Sequence, residues 1–155
     1  MLILLVRHGH AGSRAAWKGD DRLRPLNQRG WAEATGLVDR LAPFEPVRIM
    51  SSPLVRCRQT VEPLATKLGL PLEESDRLAP EASKRVAAFL RQQAEKAGPI
   101  VLCTHGEVIE VIQAGFSKHV GGRKRPSVRA KGSTWVLEYT KGRIATARYL
   151  PAPRP

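Results

Sequence analysis

The chain alternates between short, fully apolar segments and longer segments whose apolar residues recur at helical spacing. Continuous apolar runs of about five residues are typical of strands buried on both faces of a sheet. Near the carboxyl end, alternating apolar and polar residues flank Lys141-Gly142, which predicts a hairpin. The predicted strands are residues 2–6, 47–50, 100–103, 134–139 and 143–149.

Four helices are predicted between these strands. The first begins at Asn27, a good N-cap, and runs to residue 41 with one apolar face. The second begins at Ser52-Pro53, which places proline at the first helical position, and closes at Gly69. Pro63 is expected to kink or interrupt it. The other two helices are predicted over residues 83–97 and 106–114.

Strands that alternate with helices imply an α/β fold, here a three-layer α/β/α sandwich on a mostly parallel sheet. A length of 155 residues fits one domain, which we assign to residues 1–150. Residues 9–26 and 117–131 lack apolar periodicity and are predicted to be loops. The proline-rich segment 151–155 is expected to be a frayed tail.

Two of the predicted strands end in histidine. His8 and His105 each follow a buried strand, and each is followed by glycine, Gly9 or Gly106. Ligands of an open parallel sheet collect beyond the carboxyl ends of its strands. We therefore expect the two imidazoles to face each other across a ligand.

Two arginines are expected at the same edge of the sheet. Arg7 precedes His8, and Arg56 lies about one turn into the helix after the second strand. Arginine binds a phosphoryl group through its planar fork, and a neutral imidazole is a competent nucleophile. A second histidine can donate a hydrogen bond to an equatorial oxygen, while Gly9 and Gly106 would let the backbone approach the anion. The combination predicts a phosphoryl-transfer site.

A metal site is the alternative for the same histidines. His8, His10 and His105 could supply three imidazole ligands. Arg7 and Arg56 would crowd a dication, and no acidic residue lies within the first motif. This interpretation is therefore disfavoured, and we expect neither a metal nor another cofactor.

Three motifs occur in order along nearly the whole chain: Arg7-His8-Gly9, then Ser51-Ser52-Pro53-Leu54-Val55-Arg56 with Gln59-Thr60, then Thr104-His105-Gly106. Together they resemble the histidine phosphatase superfamily, in its phosphoglycerate-mutase-like branch. The resemblance implies that His8 accepts the phosphate. It also implies that Arg7, Arg56 and His105 form the rest of the phosphate pocket.

Two further segments extend the resemblance. Arg24-Pro25-Leu26 followed by Gly30 resembles part of the short SixA-type phosphohistidine phosphatases, which makes Arg24 a further phosphate or substrate contact. Larger relatives place a general acid after an Asp-x-Arg-Leu segment, so Glu81 is the candidate acid here. The short stretch between Arg56 and His105 leaves no room for the lid helices of the mutases. An open pocket favours a SixA-like phosphohistidine phosphatase over a mutase.

A second resemblance favours other substrates. Gly19-Asp20-Asp21, Arg24-Pro25-Leu26 and Lys131-Gly132-Ser133-Thr134-Trp135 are similar to the phosphatase-like domain that follows a Nudix domain in some actinobacterial MutT-type proteins. This similarity implies nucleotide or inositol polyphosphate substrates. Both alternatives stay open at this point, together with the mutase.

The net charge of the chain bears on which partners it can bind. The chain has 26 basic and 14 acidic residues, a net charge of +12, which attracts anions. The acid-free run over residues 118–131 is interpreted as a solvated loop, with steering of an anionic substrate second. A non-enzymatic polyanion-binding module is therefore a third hypothesis, although no nucleic-acid recognition motif supports it.

Cysteine usage and hydropathy suggest a cytoplasmic protein. The two cysteines have no metal-ligand spacing, which fits a reducing compartment. No apolar stretch approaches the roughly 20 residues that cross a bilayer, so no membrane partner is expected. The expected partner is a phosphorylated substrate, either a phosphohistidine protein or an anionic small molecule. The physiological substrate and the oligomeric state are left open.

Overall fold

The computed structural model describes residues 1–116 and 128–154. Within these ranges, no helix combines the length and the apolar character needed to cross a membrane. One sheet of six strands runs through the molecule with α-helices packed against it. The elements are β1 (Leu2–Arg7), α1 (Gln28–Leu41), β2 (Arg48–Ser51), α2 (Val55–Leu68), β3 (Leu72–Glu74), α3 (Val86–Ala94), β4 (Ile100–Thr104), α4 (Gly106–Ala114), β5 (Thr134–Thr140) and β6 (Arg143–Leu150).

The sheet has the order β3-β2-β4-β1-β5-β6. The pairs β3–β2, β2–β4 and β4–β1 are parallel, whereas β5 is antiparallel to β1 and forms a hairpin with β6. Lys141 and Gly142 turn this hairpin with φ angles of 51° and 77°, the left-handed conformation that a tight hairpin turn requires. The predicted α/β architecture on a mostly parallel sheet is confirmed.

The helices cover both faces of the sheet. Side chains alternate along β1, so Leu4 and Leu5 contribute to opposite apolar clusters. Leu4 packs in the cluster that contains Leu37 of α1 and residues of α2. Leu5 packs in the cluster that contains Phe89 of α3 and residues of α4. The three layers expected from the sequence are present.

Helix boundaries differ from the prediction in two places. α2 begins at Val55 rather than next to Ser52, and it continues through Pro63 without interruption. The predicted helix over residues 83–97 is divided, because residues 80–85 form a 3₁₀ turn and α3 covers only Val86–Ala94. Asn27 caps α1 as expected, with its side chain accepting from the N–H of Gly30.

The C-terminal segment is packed rather than frayed over its described part. Pro153 is buried, and its ring fills the space beside Gly36 of α1, where a Cβ would lie 2.5 Å from the Cβ of Pro153. A guanidinium nitrogen of Arg40 donates to the backbone oxygen of Pro151. The prediction of a frayed tail is therefore wrong for residues 151–154. Residue 155 and most of the predicted basic loop, residues 117–127, lie outside the described residues.

Candidate active site

His8 and His105 lie side by side beyond the carboxyl ends of β1 and β4. The parallel register pairs Arg7 with Thr104, so each strand delivers its next residue to the same level. The two imidazole rings meet edge to face, with 5.3 Å between their centroids. Both side chains are buried, at 6% and 1% exposure. The structure thus brings together the two histidines that the sequence placed at one edge.

Hydrogen bonding fixes the tautomer of His8. Its Nδ1 lies 2.8 Å from the backbone oxygen of Gly9. A carbonyl oxygen only accepts, so Nδ1 carries the proton and Nε2 carries the lone pair. Burial, reinforced by the charges of Arg56 and Arg7, lowers the pKa of His8 to about 3. At neutral pH the ring is therefore uncharged, with Nε2 available as a nucleophile.

Ser52 contacts the imidazole of His105. The hydroxyl of Ser52 accepts the N–H of Leu54 at 3.3 Å and lies 2.8 Å from Nε2 of His105, and Sγ of Cys57 lies 3.4 Å from the same nitrogen. In the tautomer with the ring proton on Nδ1, the Ser52 hydroxyl donates to Nε2, and Nδ1–H is a donor. Burial, followed by the charges of His8, Arg56 and Arg7, lowers the pKa of His105 to about 2. Sequence analysis had assigned Ser52 to a helix cap and missed this contact.

Arg7 and Arg56 each have an unused donor at the site. Arg56 donates through Nη1 and Nη2 to Asp21, and Arg7 donates through Nη1 to the backbone oxygen of Arg129. Within residues 1–116 and 128–154, however, the Nε atoms of Arg7 and Arg56 are buried without a hydrogen-bond partner. Buried donors are almost always satisfied in native proteins. A bound anion would supply the missing acceptors.

Asp21 is a second residue that sequence analysis missed. Its Oδ2 lies 3.2 Å from Nη2 of Arg56, and its Oδ1 lies 2.9 Å from Nε of Arg24. Although desolvation opposes it, the hydrogen bond from Arg24 and the charge of Arg56 lower the pKa of the Asp21 carboxyl. The carboxylate of Asp21 thus accepts hydrogen bonds from the guanidinium groups of both Arg24 and Arg56. The sequence signal was the pair Asp20-Asp21 among basic residues in a loop.

Arg24 is buried in the loop that precedes α1 and connects two parts of that loop. Only 7% of it is exposed, and its Nη1 donates to the backbone oxygen of Ala11 at 2.9 Å. Its Nε is engaged by Asp21. Through Asp21, Arg24 is linked to Arg56, and its direct contact with phosphate stays a prediction.

The two glycines serve the side chains around them. The N–H of Gly9 donates to Oγ1 of Thr60 at 2.9 Å, so it is not directed at an anion. A Cβ at Gly106 would lie 3.0 Å from Cζ of Arg7, so glycine makes room for that guanidinium. Gly9 and Gly106 thus make room for or hold neighbouring side chains, and their predicted contact with substrate stays a prediction.

Glu81 pairs with Arg22 at the surface. Its side chain is 64% exposed and forms an ion pair with Arg22 at 3.0 Å. A hydrogen bond from its own backbone amide, together with Arg22, lowers the pKa of Glu81. The carboxyl is therefore ionised in the free protein, and its role as general acid stays a prediction.

Solved structures share this fold. SixA, a protein histidine phosphatase complexed with tungstate, superposes with a TM-score of 0.76 at 22% identity, covering 99% of this chain and 96% of SixA. The mycobacterial glucosyl-3-phosphoglycerate phosphatase complexed with VO₃ superposes with a TM-score of 0.70 at 18% identity, covering 96% of each chain. At these identities the likeness establishes the fold alone.

Sequence comparison is more specific. The 8-oxo-(d)GTP phosphatase of Mycolicibacterium smegmatis is 39% identical over 155 residues, which cover 97% of this chain and 48% of that relative. This chain therefore spans about half the length of that protein. An uncharacterized protein of Picosynechococcus is 36% identical over 132 residues, 77% of each chain. The model of the histidine phosphatase superfamily (branch 1) matches residues 3–80. The chain belongs to the histidine phosphatase superfamily, branch 1.

Proposed function

We propose that this chain is a phosphatase that carries phosphate on Nε2 of His8. The observation that supports it best is the pair of buried, unpartnered Nε donors of Arg7 and Arg56 beside a neutral His8. Two fixed positive charges with free donors suit a phosphoryl group, and a lone pair at Nε2 suits attack on phosphorus. Membership of the superfamily implies phosphatase activity as well.

The first step transfers the phosphoryl group to the enzyme. Arg7 and Arg56 hold its equatorial oxygens, and Nδ1–H of His105 donates to one of them as charge develops. The lone pair of His8 Nε2 forms a bond to phosphorus. The bond from phosphorus to the leaving atom breaks, and its electron pair departs with the leaving group.

The second step returns the enzyme to its starting state. Water attacks the phosphorus of phospho-His8, a phosphorus–oxygen bond forms, and the phosphorus–nitrogen bond breaks. The electron pair returns to Nε2, and the proton lost by water passes to the phosphate or to solvent. The hydrogen bond from Nδ1 to Gly9 holds the ring in place through both steps.

With Glu81 ionised, a leaving group that needs no proton from the enzyme is favoured. A phosphoanhydride releases a stable phosphate anion, and phosphohistidine with a protonated ring releases neutral imidazole, whereas an alkyl phosphate ester releases a poor alkoxide. A SixA-like phosphohistidine phosphatase is one candidate, supported by this requirement. A nucleotide phosphatase is the other, and the relative that is an 8-oxo-(d)GTP phosphatase supports it.

Two measurements test the chemistry. Brief reaction with a ³²P-labelled substrate should label the protein through an acid-labile, base-stable bond, and a chelator should change neither labelling nor turnover. His8→Ala should abolish both. His10→Gln is the matched control and should keep both, because the His10 imidazole is held by Glu33 at 2.9 Å. Full activity of His8→Ala would refute the proposal.

A substrate panel then separates the functions. It contains a phosphohistidine protein, nucleoside di- and triphosphates, inositol polyphosphates and sugar phosphates, ranked by kcat/KM. A non-enzymatic polyanion-binding module would instead bind several of these with steep salt dependence and hydrolyse none.

A further inference from the structure

The backbone of Lys131 lies beside the site, in the segment that leads into β5. The N–H of Gly132 lies 3.1 Å from the backbone oxygens of both Arg7 and His8, and the N–H of Arg7 donates to the oxygen of Ser133 at 3.0 Å. Gly132 has a φ of +80°, so the turn needs glycine at this position. Lys131 is therefore fixed directly beside the strand end that carries His8.

The positive charge of Lys131 contributes to the electrostatic potential at the site. Burial and the charges of Arg7 and Arg24 lower the pKa of Lys131, and Lys131 in turn contributes to lowering the pKa of His8. In the described ranges, the half-buried ammonium of Lys131 has no hydrogen bond or ion pair. Glu33, the acid that opposes this shift, already accepts from the backbone N–H and Nδ1 of His10.

The number of positive charges exceeds what one phosphoryl group needs. Arg7 and Arg56 are placed for the group that is transferred, and both histidines are neutral. Asp21 offsets one positive charge. Lys131 is then an additional cation beside a site where Arg7 and Arg56 already supply donors for one phosphoryl group. Its flexible ammonium can reach an oxygen of a second phosphoryl group.

We propose that Lys131 binds the phosphoryl group adjacent to the one that His8 accepts, so the substrate is a phosphoanhydride such as a nucleoside diphosphate or triphosphate. This inference rests on the proposed function and selects one of its two substrate classes. A phosphohistidine substrate has no second phosphoryl group for Lys131 to bind. General steering is the alternative role, and it would favour all anions alike.

Turnover provides the first test. The substrates are a nucleoside diphosphate, which has two adjacent phosphoryl groups, and p-nitrophenyl phosphate, which has one. Lys131→Gln should lower kcat/KM for the diphosphate by about tenfold or more, the usual size of a lost charged hydrogen bond, with under about threefold change for p-nitrophenyl phosphate. Lys131→Arg should retain most of the discrimination. Lys96→Gln, an equal change of charge at an exposed position before β4, should leave both rates unchanged.

Binding provides a second test that needs no turnover. Calorimetry compares inorganic pyrophosphate with orthophosphate on wild type and on the same variants. Wild type should prefer pyrophosphate, and Lys131→Gln should remove that preference while still binding orthophosphate. Equal losses for both anions, or no pyrophosphate preference in wild type, would overturn the subsite. Absence of hydrolysis by wild type would instead contradict the proposed function, with the subsite still decided by calorimetry.

Discussion

The hydroxyl of Ser52 lies 2.8 Å from Nε2 of His105, and both side chains are buried. Ser52 begins the turn between β2 and α2, while His105 follows β4, so the contact links the two neighbouring strand ends. When the Ser52 hydroxyl donates in this contact, the ring proton of His105 is on Nδ1. Ser52 is therefore a positioning residue that acts on the reaction through His105.

Replacing Ser52 by alanine should disturb the chemistry more than the binding. Without the hydroxyl, Nε2 of His105 keeps only the thiol of Cys57, 3.4 Å away, so the preference for one tautomer is weaker. We expect kcat to fall about tenfold, equivalent to about 1.4 kcal/mol, with a small change in KM. Kinetics together with ¹⁵N chemical shifts of the ring measure both effects. Ser51→Ala is the matched control, because the Ser51 hydroxyl donates to a backbone oxygen and should leave the tautomer unaltered.

The two buried histidines should make the protein sensitive to acid. The pKa of His8 is lowered from 6.5 to about 3 and that of His105 to about 2, so the folded protein keeps both rings neutral. The unfolded chain binds these protons below about pH 6.5. Stability is therefore fully present above that pH and is lost as the pH falls towards the folded values. The slope at pH 4–6 should approach about 1.4 kcal/mol per pH unit for each histidine.

Urea unfolding at a series of pH values measures this dependence. His8→Ala should remove about one histidine's share of the slope, whatever its effect on absolute stability. An unchanged slope in that variant would show that His8 is protonated in the folded state.

Asp21→Asn should make folding stability depend more strongly on phosphate. The substitution removes the negative partner of the buried Arg56 and of Arg24. In phosphate-free buffer we expect a loss of about 2 kcal/mol, below the usual cost of an unpaired buried charge because the Asp21 side chain is partly exposed. Orthophosphate should then raise the melting temperature of the variant more than that of wild type, because the anion replaces the carboxylate. Equal increments in thermal melts would contradict this role.

Gly106→Ala should displace Arg7 without unfolding the protein. A Cβ at this position would meet the guanidinium at 3.0 Å, and a side chain of this length can move aside. We expect kcat/KM to fall by about tenfold, the effect of losing one charged hydrogen bond to the phosphoryl group. Gly115→Ala, at the opposite end of α4, should keep normal kinetics. A crystal structure of Gly106→Ala with Arg7 unmoved would exclude the proposed cause.

The sequence by itself determined the layers of the fold and the edge at which the histidines lie. Continuous apolar runs specify strands buried on both faces, and residues 2–6 and 100–103 became neighbouring parallel strands. Because His8 and His105 directly follow these strands, both residues lie at the same edge of the sheet once the two strands are parallel. The helix caps at Asn27 and Gly69 are likewise local, since they need only the residues around them.

Only the tertiary structure decided which polar groups meet. Ser52 has the local pattern of a helix cap, but a buried imidazole from a distant strand takes its hydroxyl, and α2 begins later. Asp21 and Lys131 lie in segments without periodicity, so no local signal fixes where their charges point. Glu81 matched a motif position, and its ion pair with Arg22 was not evident from the sequence. Long-range contacts of this kind depend on the folded backbone, which short-range sequence patterns do not encode.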